Sequence, residues 1–446
     1  MMEGLQIPGS FAAMRTEGGI SVRNKKKAVA EEEKRRRKLS ELSVTRAGRL
    51  ETGASIPPVL NVAPFPPYPA FTGSQIAMAD RLSLEKDKRT VALAYPRDGS
   101  WWLEVWSAAS TGYYSLGTKS NVLEIIAQAA RLTRAKVVHI EDIHGLPLNL
   151  VHGLEQGGLR TMLSIHDFVF FCRRTHLVEQ PSGEFCEYST EALRCKVCLR
   201  DIDPEGRTSQ TDYQRVAVPS LHDASFLIFP SVFLQRQYEV LFPERKPAQR
   251  EVVVAPATAR GETAAGAANG RPSVAFVGGA YDYRGAALIG PIMDRVRESE
   301  PKATGFVYGD GAGELFKQIR KVKKVRVQGY YRQGTLAETL AKDKIAVAVL
   351  PSISPEPYAL VVDECLAAGV PVVAFSLGAV GERLSFWEAG ELVPPDLGAD
   401  GLADAVIEGL GQKAQVSDSV IRTLPQLDRV ARKYLELYKG QRARAR

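Results

Sequence analysis

Two α/β domains, each built on a mostly parallel sheet, are what this sequence predicts, and three observations carry that reading. Short apolar runs of strand length alternate with helix-like stretches along most of the chain. A Gly/Ala-rich run, "VVVAPATARGETAAGAANGRPS", interrupts the alternation once, and beyond it the alternation starts again. Strands that alternate with helices pair in parallel, because each return crossover is long enough to hold a helix. At 446 residues the chain also exceeds what one hydrophobic core usually serves, so two domains with extensions are expected.

In order, "IPPVLNVAPFPPYP" reads as a short strand broken by prolines, "TGSQIAMADRLSL" as a helix with Gly73 at its mouth, and "RTVALAYP" as the next strand. Residues 121 to 132 have helical spacing, and "KVVHIED", "RTMLSIHD" and "ASFLIFPS" supply further strands. These make a first domain over 56–257, followed by a linker at 258–271. The second domain, 272–416, carries strands in "SVAFVGGAYDYRG", "ATGFVYGDGAG", "VRVQGYY", "IAVAVLPS" and "PVVAFS". A closing segment, 417–446, holds "PQLDRVARKYLELYKG", whose apolar positions recur at helical spacing and need a surface to pack on.

The net charge of +7 is concentrated at one end: residues 1–55 hold 12 Lys/Arg and 7 Asp/Glu, and the remainder is close to neutral. That segment reads as a solvated helix or disordered tail, able to adhere to an anionic membrane surface. A nearly neutral body argues against nucleic acid as a partner. No apolar run approaches the roughly 20 residues of a membrane span, and the first 30 residues lack a secretion signal's apolar core, so the expected compartment is the cytoplasm.

The stretch "SPEPYALVVDECLAAGVPVVAF" is where chemistry concentrates. A buried strand precedes it, Pro355 and Pro357 force an extended loop, and "ALVVDECLAAG" is an almost wholly apolar helix stopped by Gly369. Yet Glu356 stands at the helix entrance and Glu364 on its inward face. In open parallel sheets ligands lie beyond the carboxyl ends of the strands, and the backbone N–H groups around Tyr358 to Val361 would form an anion site suited to a diphosphate. Glu364 could then accept two hydrogen bonds from a cis-diol such as ribose, or else pair with a buried Arg or Lys.

The spacing of Glu356 and Glu364 resembles the E-x7-E motif of retaining glycosyltransferases of family 4, and "VVHIEDIHGLPL", "RTMLSIHDFVFFCRR", "FLIFPSVFL", "VAFVGGAYDYRGA", "VYGDGAG" and "ARKYLELY" look like family segments in family order. The resemblance covers roughly residues 56 to 440. It implies the GT-B fold: two Rossmann-like domains facing a cleft, with the C-terminal helix crossing back to the first. It also implies transfer of a sugar, with retention and without a catalytic metal, from a nucleotide-sugar to a glycan acceptor, for example a lipid-linked surface polysaccharide. Catalytic roles then fall to His166, Arg284 and Glu356, and donor binding to Gly73, Arg284, Tyr358, Ala359, Leu360, Val361 and Glu364. Of two cations the family directs at the diphosphate, one position is Gly279 here and the other is Arg284, and Ala359 stands where the family has Gly. These departures are compatible with a catalytically silent scaffold as the alternative; a GT-B epimerase and a nucleic-acid-binding protein with a zinc knob are the others.

Cys172, Cys186, Cys195 and Cys198 end in a C-x2-C spacing common in structural zinc sites, and a related cysteine arrangement occurs in some family members. A structural zinc on the four thiolates is the expectation, against four reduced thiols or a disulfide. The nearby "DID" at Asp201 to Asp203 matches a metal-binding pattern of other sugar transferases, but in a charged loop after the cysteines it reads as coincidence.

Overall fold

The computed structural model describes residues 56–68, 72–107, 111–118, 121–243, 251–257, 272–311, 313–331, 334–387, 390–412 and 416–442; the basic segment 1–55 and the linker 258–271 lie outside the described residues. The first domain is one eight-stranded sheet, with β1 (Val59–Val62), β2 (Val91–Arg97), β3 (Ser100–Trp106), β4 (Thr111–Gly117), β5 (Val137–Ile140), β6 (Arg160–Ser164), β7 (Phe226–Phe229) and β8 (Glu251–Val253) in the order β4-β3-β2-β1-β5-β6-β7-β8. Six strands run parallel; β3 and β4 are antiparallel to their neighbours.

Two features depart from the sequence reading. The β2–β3–β4 meander was not expected, although Asp98 and Gly99, both at positive φ between the paired Arg97 and Ser100, form a two-residue hairpin turn of the kind Asp-Gly favours. The Gly/Ala-rich run is also not linker throughout: its first residues, Val252 and Val253, lie in β8 and pair with Ile228 and Phe229.

The second sheet holds β9 (Ser273–Val277), β10 (Thr304–Tyr308), β11 (Val325–Gly329), β12 (Val347–Leu350), β13 (Val372–Phe375) and β14 (Gly390–Val393), all parallel, in the order β11-β10-β9-β12-β13-β14. Strands β9, β12 and β13 are buried along their whole length because helices cover both faces, which explains their unbroken apolar runs. The strand order reverses between β9 and β12, so the loops leaving these two neighbours diverge and open a crevice at their carboxyl ends. In the first sheet the equivalent reversal lies between β1 and β5.

The short helix Asp418–Thr423 still belongs to the second domain, with Val420 and Ile421 packed on its core. Helix Leu427–Arg442 returns to the first domain, where Val430, Tyr434, Leu435 and Tyr438 bury against Ile56, Val59, Val137 and Met162. A buried polar cluster fixes its register: Tyr438 Oη meets Arg81 Nη1 at 3.1 Å and His139 Nδ1 at 2.8 Å, while Arg81 also pairs with Glu85 and Glu141.

Candidate functional site

The crevice between β9 and β12 is built from the loop Gly278–Arg284 on one side and the segment Pro351–Ala359 on the other, which leads into helix Leu360–Ala367. That helix begins at the crevice without a side-chain cap on its first N–H groups. Arg383 organises this entrance: Nη1 donates to the Tyr358 carbonyl at 2.6 Å and the Ala359 carbonyl at 3.2 Å, Nη2 pairs with Asp363, and the guanidinium lies 3.8 Å from the Tyr358 ring centroid. Arg383 thus ties down the two carbonyls at the entrance of this helix, whose N-terminus is of the kind that favours an anion. Ala359 has φ 64°, the left-handed region where Gly is at ease, so the alanine there holds a strained conformation.

Both glutamates are buried, Glu356 at 8% and Glu364 at 9% exposure. Glu356 accepts from the Ser352 hydroxyl and has Arg284 Nη2 at 3.6 Å; its loop borders a small pocket lined by Leu350, Ser352, Ser354, Phe375, Leu377 and Val380. Glu364 accepts from the Tyr331 hydroxyl at 3.2 Å. Burial first, and the Glu364 carboxylate next, push the Tyr331 pKa well up, so its hydroxyl remains a donor. The neighbouring Asp363 is paired with a buried arginine, Arg383.

Arg284 anchors through Nη1 on the Gly278 carbonyl. Its Nε is buried and meets no acceptor among the described residues, a donor left over for a ligand. Burial opposes its charge, but Glu356 and Tyr283 outweigh that, and the net pKa direction is upward, so it stays a cation. Gly279 cannot carry the second cation: at φ 93° a Cβ would stand 2.8 Å from both the Asp310 carbonyl oxygen and the Tyr281 ring.

Across the cleft, Gly73 starts the helix Gly73–Glu85, and a Cβ on it would lie 3.3 Å from Leu360 Cδ1, so this helix mouth abuts the start of helix Leu360–Ala367. Ser231 Oγ bridges the domains at 2.7 Å from the Pro357 carbonyl. His166 follows β6 and donates from Nε2 to the Glu141 carbonyl at 2.6 Å, which fixes its tautomer and leaves Nδ1 as the acceptor of the neutral ring. Beyond β5, His144 sits between Asp142 at 2.7 Å and Asp167 at 2.9 Å. Burial works against a charge on His144, but the two carboxylates prevail and hold its pKa well above the usual value. His176 is the point where the two sides feel one another: burial lowers its pKa to about 4, Asp167 and Glu356 oppose that, and Arg284 and His144 add to it.

The four cysteines are free thiols. They are near neighbours, since burial first, against the Arg174 backbone N–H, and then the other three thiols push Cys172 up to about 12. Backbone N–H groups of Arg174 and Gln180 donate to Cys172 Sγ and Cys198 Sγ, each at 3.4 Å. The sulfurs do not form a closed shell: among the described residues no group of three or more His, Cys, Asp or Glu is placed to hold a metal ion. Asp201 and Asp203 pair with Arg174 and Arg173, at 2.5 and 3.0 Å, and so tie the cysteine loop together.

Arg383, Asp363, Tyr331, Ser352 and His176 escaped the sequence reading. Only Asp363 carried a signal there, as a second carboxylate inside an apolar helix.

Two facing Rossmann-like domains with the last helix returned to the first define the GT-B class. Residues 271–412, most of the second domain, match the family described as Glycosyl transferases group 1. No curated protein sequence matches the chain. Among solved structures, Anabaena HepE in complex with UDP is similar at 15% identity and TM-score 0.57, over 86% of this chain and 99% of that one. Sucrose-phosphate synthase from Thermosynechococcus elongatus is similar at 15% identity and TM-score 0.59, over 86% and 99%. The catalytic domain of starch synthase IV from Arabidopsis thaliana, bound to ADP and acarbose, matches at 11% identity and TM-score 0.55, over 87% and 100%.

Proposed function

We propose that the chain is a glycosyltransferase that moves a sugar from a nucleoside-diphosphate sugar to a glycan acceptor, with retention of configuration and without a catalytic metal. The observation that carries this is the convergence, at the strand-order reversal of the second sheet, of an uncapped helix N-terminus, the cation Arg284 with a buried spare donor, and two buried glutamates. Negative charge grows on the leaving diphosphate as the glycosidic bond to it breaks. The helix N–H groups and Arg284 meet that charge already oriented, so no reorganisation is needed as it develops. Glu364 takes the ribose diol, Glu356 the donor sugar, and His166 lies on the acceptor side of the transferred sugar.

The acceptor we favour is a lipid-linked surface polysaccharide at the cytoplasmic membrane face, reached by adhesion of the basic segment 1–55 to anionic lipid. Among the described residues no helix is long and apolar enough to cross a membrane. Liposome sedimentation with and without residues 1–55, at low and high salt, tests the adhesion, and equal binding throughout removes it. Zinc on the four cysteines is likewise a proposal, supported by their spacing and their mutual proximity.

A thermal-shift panel of nucleotide-sugars tests the main reading. A donor at 100 times its Kd stabilises the fold by about 2.7 kcal/mol, and a panel in which none shifts the melting point excludes the reading.

A further inference from the structure

The loop that bears the cysteines reaches across the cleft. His176, four residues after Cys172, lies face to face with Tyr283 of the second domain, ring centroids 3.7 Å apart and planes within 7°. Tyr283 in turn stacks on Tyr281 at 5.8 Å and 10°, the ring that crowds Gly279. Three rings thus run from the first domain into the loop that carries Arg284.

Both ends of this stack are anchored. On the first-domain side, Arg174 donates to the Cys198 carbonyl at 2.9 Å, the Leu177 N–H donates to the Arg174 carbonyl at 2.9 Å, and the Leu177 carbonyl accepts from the Cys186 N–H at 2.9 Å. His176 is therefore presented by backbone that the cysteine loop holds on either side. On the other side, the Tyr283 carbonyl accepts from the Ile353 N–H at 3.1 Å, which ties it to the segment carrying Glu356, and the Arg284 guanidinium lies 5.7 Å from the Tyr283 ring centroid. His176 is uncharged at neutral pH, as a stack on a phenol beside a cation requires.

We propose that His176 is a positioning residue: its stack on Tyr283 is a latch between the domains, through which the cysteine loop holds Arg284 and the Glu356 segment in their diphosphate-binding arrangement. The step to the diphosphate rests on the sugar-transfer reading; the latch itself does not. An aromatic pair of this kind favours the closed arrangement by up to about tenfold, so its loss should weaken nucleotide binding by about three- to tenfold.

The test uses the full chain with His176→Ala and His176→Phe, the second keeping a flat ring. Amide exchange at residues 281–285 should rise in the Ala variant and stay near wild type in the Phe variant, with the first-domain core unchanged in both. Unaltered exchange at 281–285 in His176→Ala overturns the latch. In a second arm, UDP, ADP and GDP are titrated: the Kd of whichever binds wild type should rise in the Ala variant and be rescued in the Phe variant. If none binds wild type, the sugar-transfer reading fails while the exchange result still decides the latch; if one binds all three proteins alike, the latch does not position Arg284.

Discussion

Asp363, and not Glu364, carries the buried arginine: Arg383 pairs with Asp363 with both side chains under a tenth exposed, and the same guanidinium holds the Tyr358 and Ala359 carbonyls. Two adjacent carboxylates on one short helix therefore have different tasks. Asp363 neutralises a structural cation, and Glu364 remains at the crevice with the Tyr331 hydroxyl as its partner.

Removing either member of the Arg383–Asp363 pair leaves the other charge buried, at a cost of about 3 to 5 kcal/mol. Arg383→Met and Asp363→Asn should each lower the melting temperature strongly, and the double variant should lose less than the sum of the two. Additive losses in a double-mutant cycle would show that the pair is not coupled.

Glu364→Gln should leave stability nearly unchanged, because its shape and its bond from Tyr331 survive. Charge-assisted hydrogen bonds to a ribose diol are worth about 1.5 to 3 kcal/mol each, so affinity for the nucleoside diphosphate should fall ten- to a hundredfold. Glu356→Gln should spare that affinity and lower turnover, since the donor sugar is its proposed contact. Calorimetric titration decides; a Glu364→Gln protein that binds like wild type but melts much lower would make this carboxylate structural.

The cation missing at Gly279 cannot be restored by substitution. Its φ of 93° and the 2.8 Å approach of a Cβ to the Asp310 carbonyl mean that Gly279→Arg strains the loop. The variant should melt lower and bind nucleotide no tighter. By contrast Ala359→Gly relieves a left-handed alanine at φ 64° and should cost nothing in stability. Tighter nucleotide binding by Gly279→Arg at an unchanged melting point would refute the argument.

These cases show where the sequence was legible. The alternation of apolar strands and helices is a local pattern enforced by burial on both sheet faces, so β9, β12 and β13 could be read directly. The Asp98-Gly99 turn is an equally local signal; β8 is hidden in the sequence because three half-buried edge residues look like linker. Glu356 and Glu364 stood out as charges in an apolar setting. Their environment did not, because Arg383, Tyr331 and His176 reach the crevice from elements distant in sequence, and only the tertiary fold brings a partner 20 or 33 residues away onto a given carboxylate.

For the cysteines, burial and mutual proximity raise the thiol pKa values of Cys172, Cys186 and Cys195, which opposes the thiolates that zinc needs; a bound zinc ion would reverse that balance through its positive charge. Elemental analysis of the protein as isolated should find about one zinc per chain. A metal-free protein whose four thiols react readily in the native state would remove the proposal.

The pH dependence of stability follows from buried histidines with opposite shifts: His139 and His176 are held below the usual value and His144 above it. His139 lies between the Tyr438 hydroxyl and Ser164 Oγ, at 2.8 and 2.9 Å; burial first, then Arg81 and Arg89, hold its pKa well below 6.5, with Glu85 opposing and His166 adding. Below about pH 6.5 the unfolded chain takes up a proton that the folded one refuses, so stability falls as the solution is acidified. His144 runs the other way, because Asp167 and Asp142 keep it protonated in the folded state against the effect of burial. Its contribution is complete below the unfolded value near 6.5 and is lost as pH rises through the higher folded value. The melting temperature should therefore peak near pH 6.5 and decline on both sides. His144→Asn should flatten the alkaline limb and leave the acid limb, and His139→Asn should leave the alkaline limb and make the acid limb shallower, down to the share that His176, also held below 6.5, contributes. Thermal melts from pH 5 to 9 on the three proteins check this, and an alkaline decline that persists unchanged in His144→Asn would show that the paired carboxylates do not hold that proton.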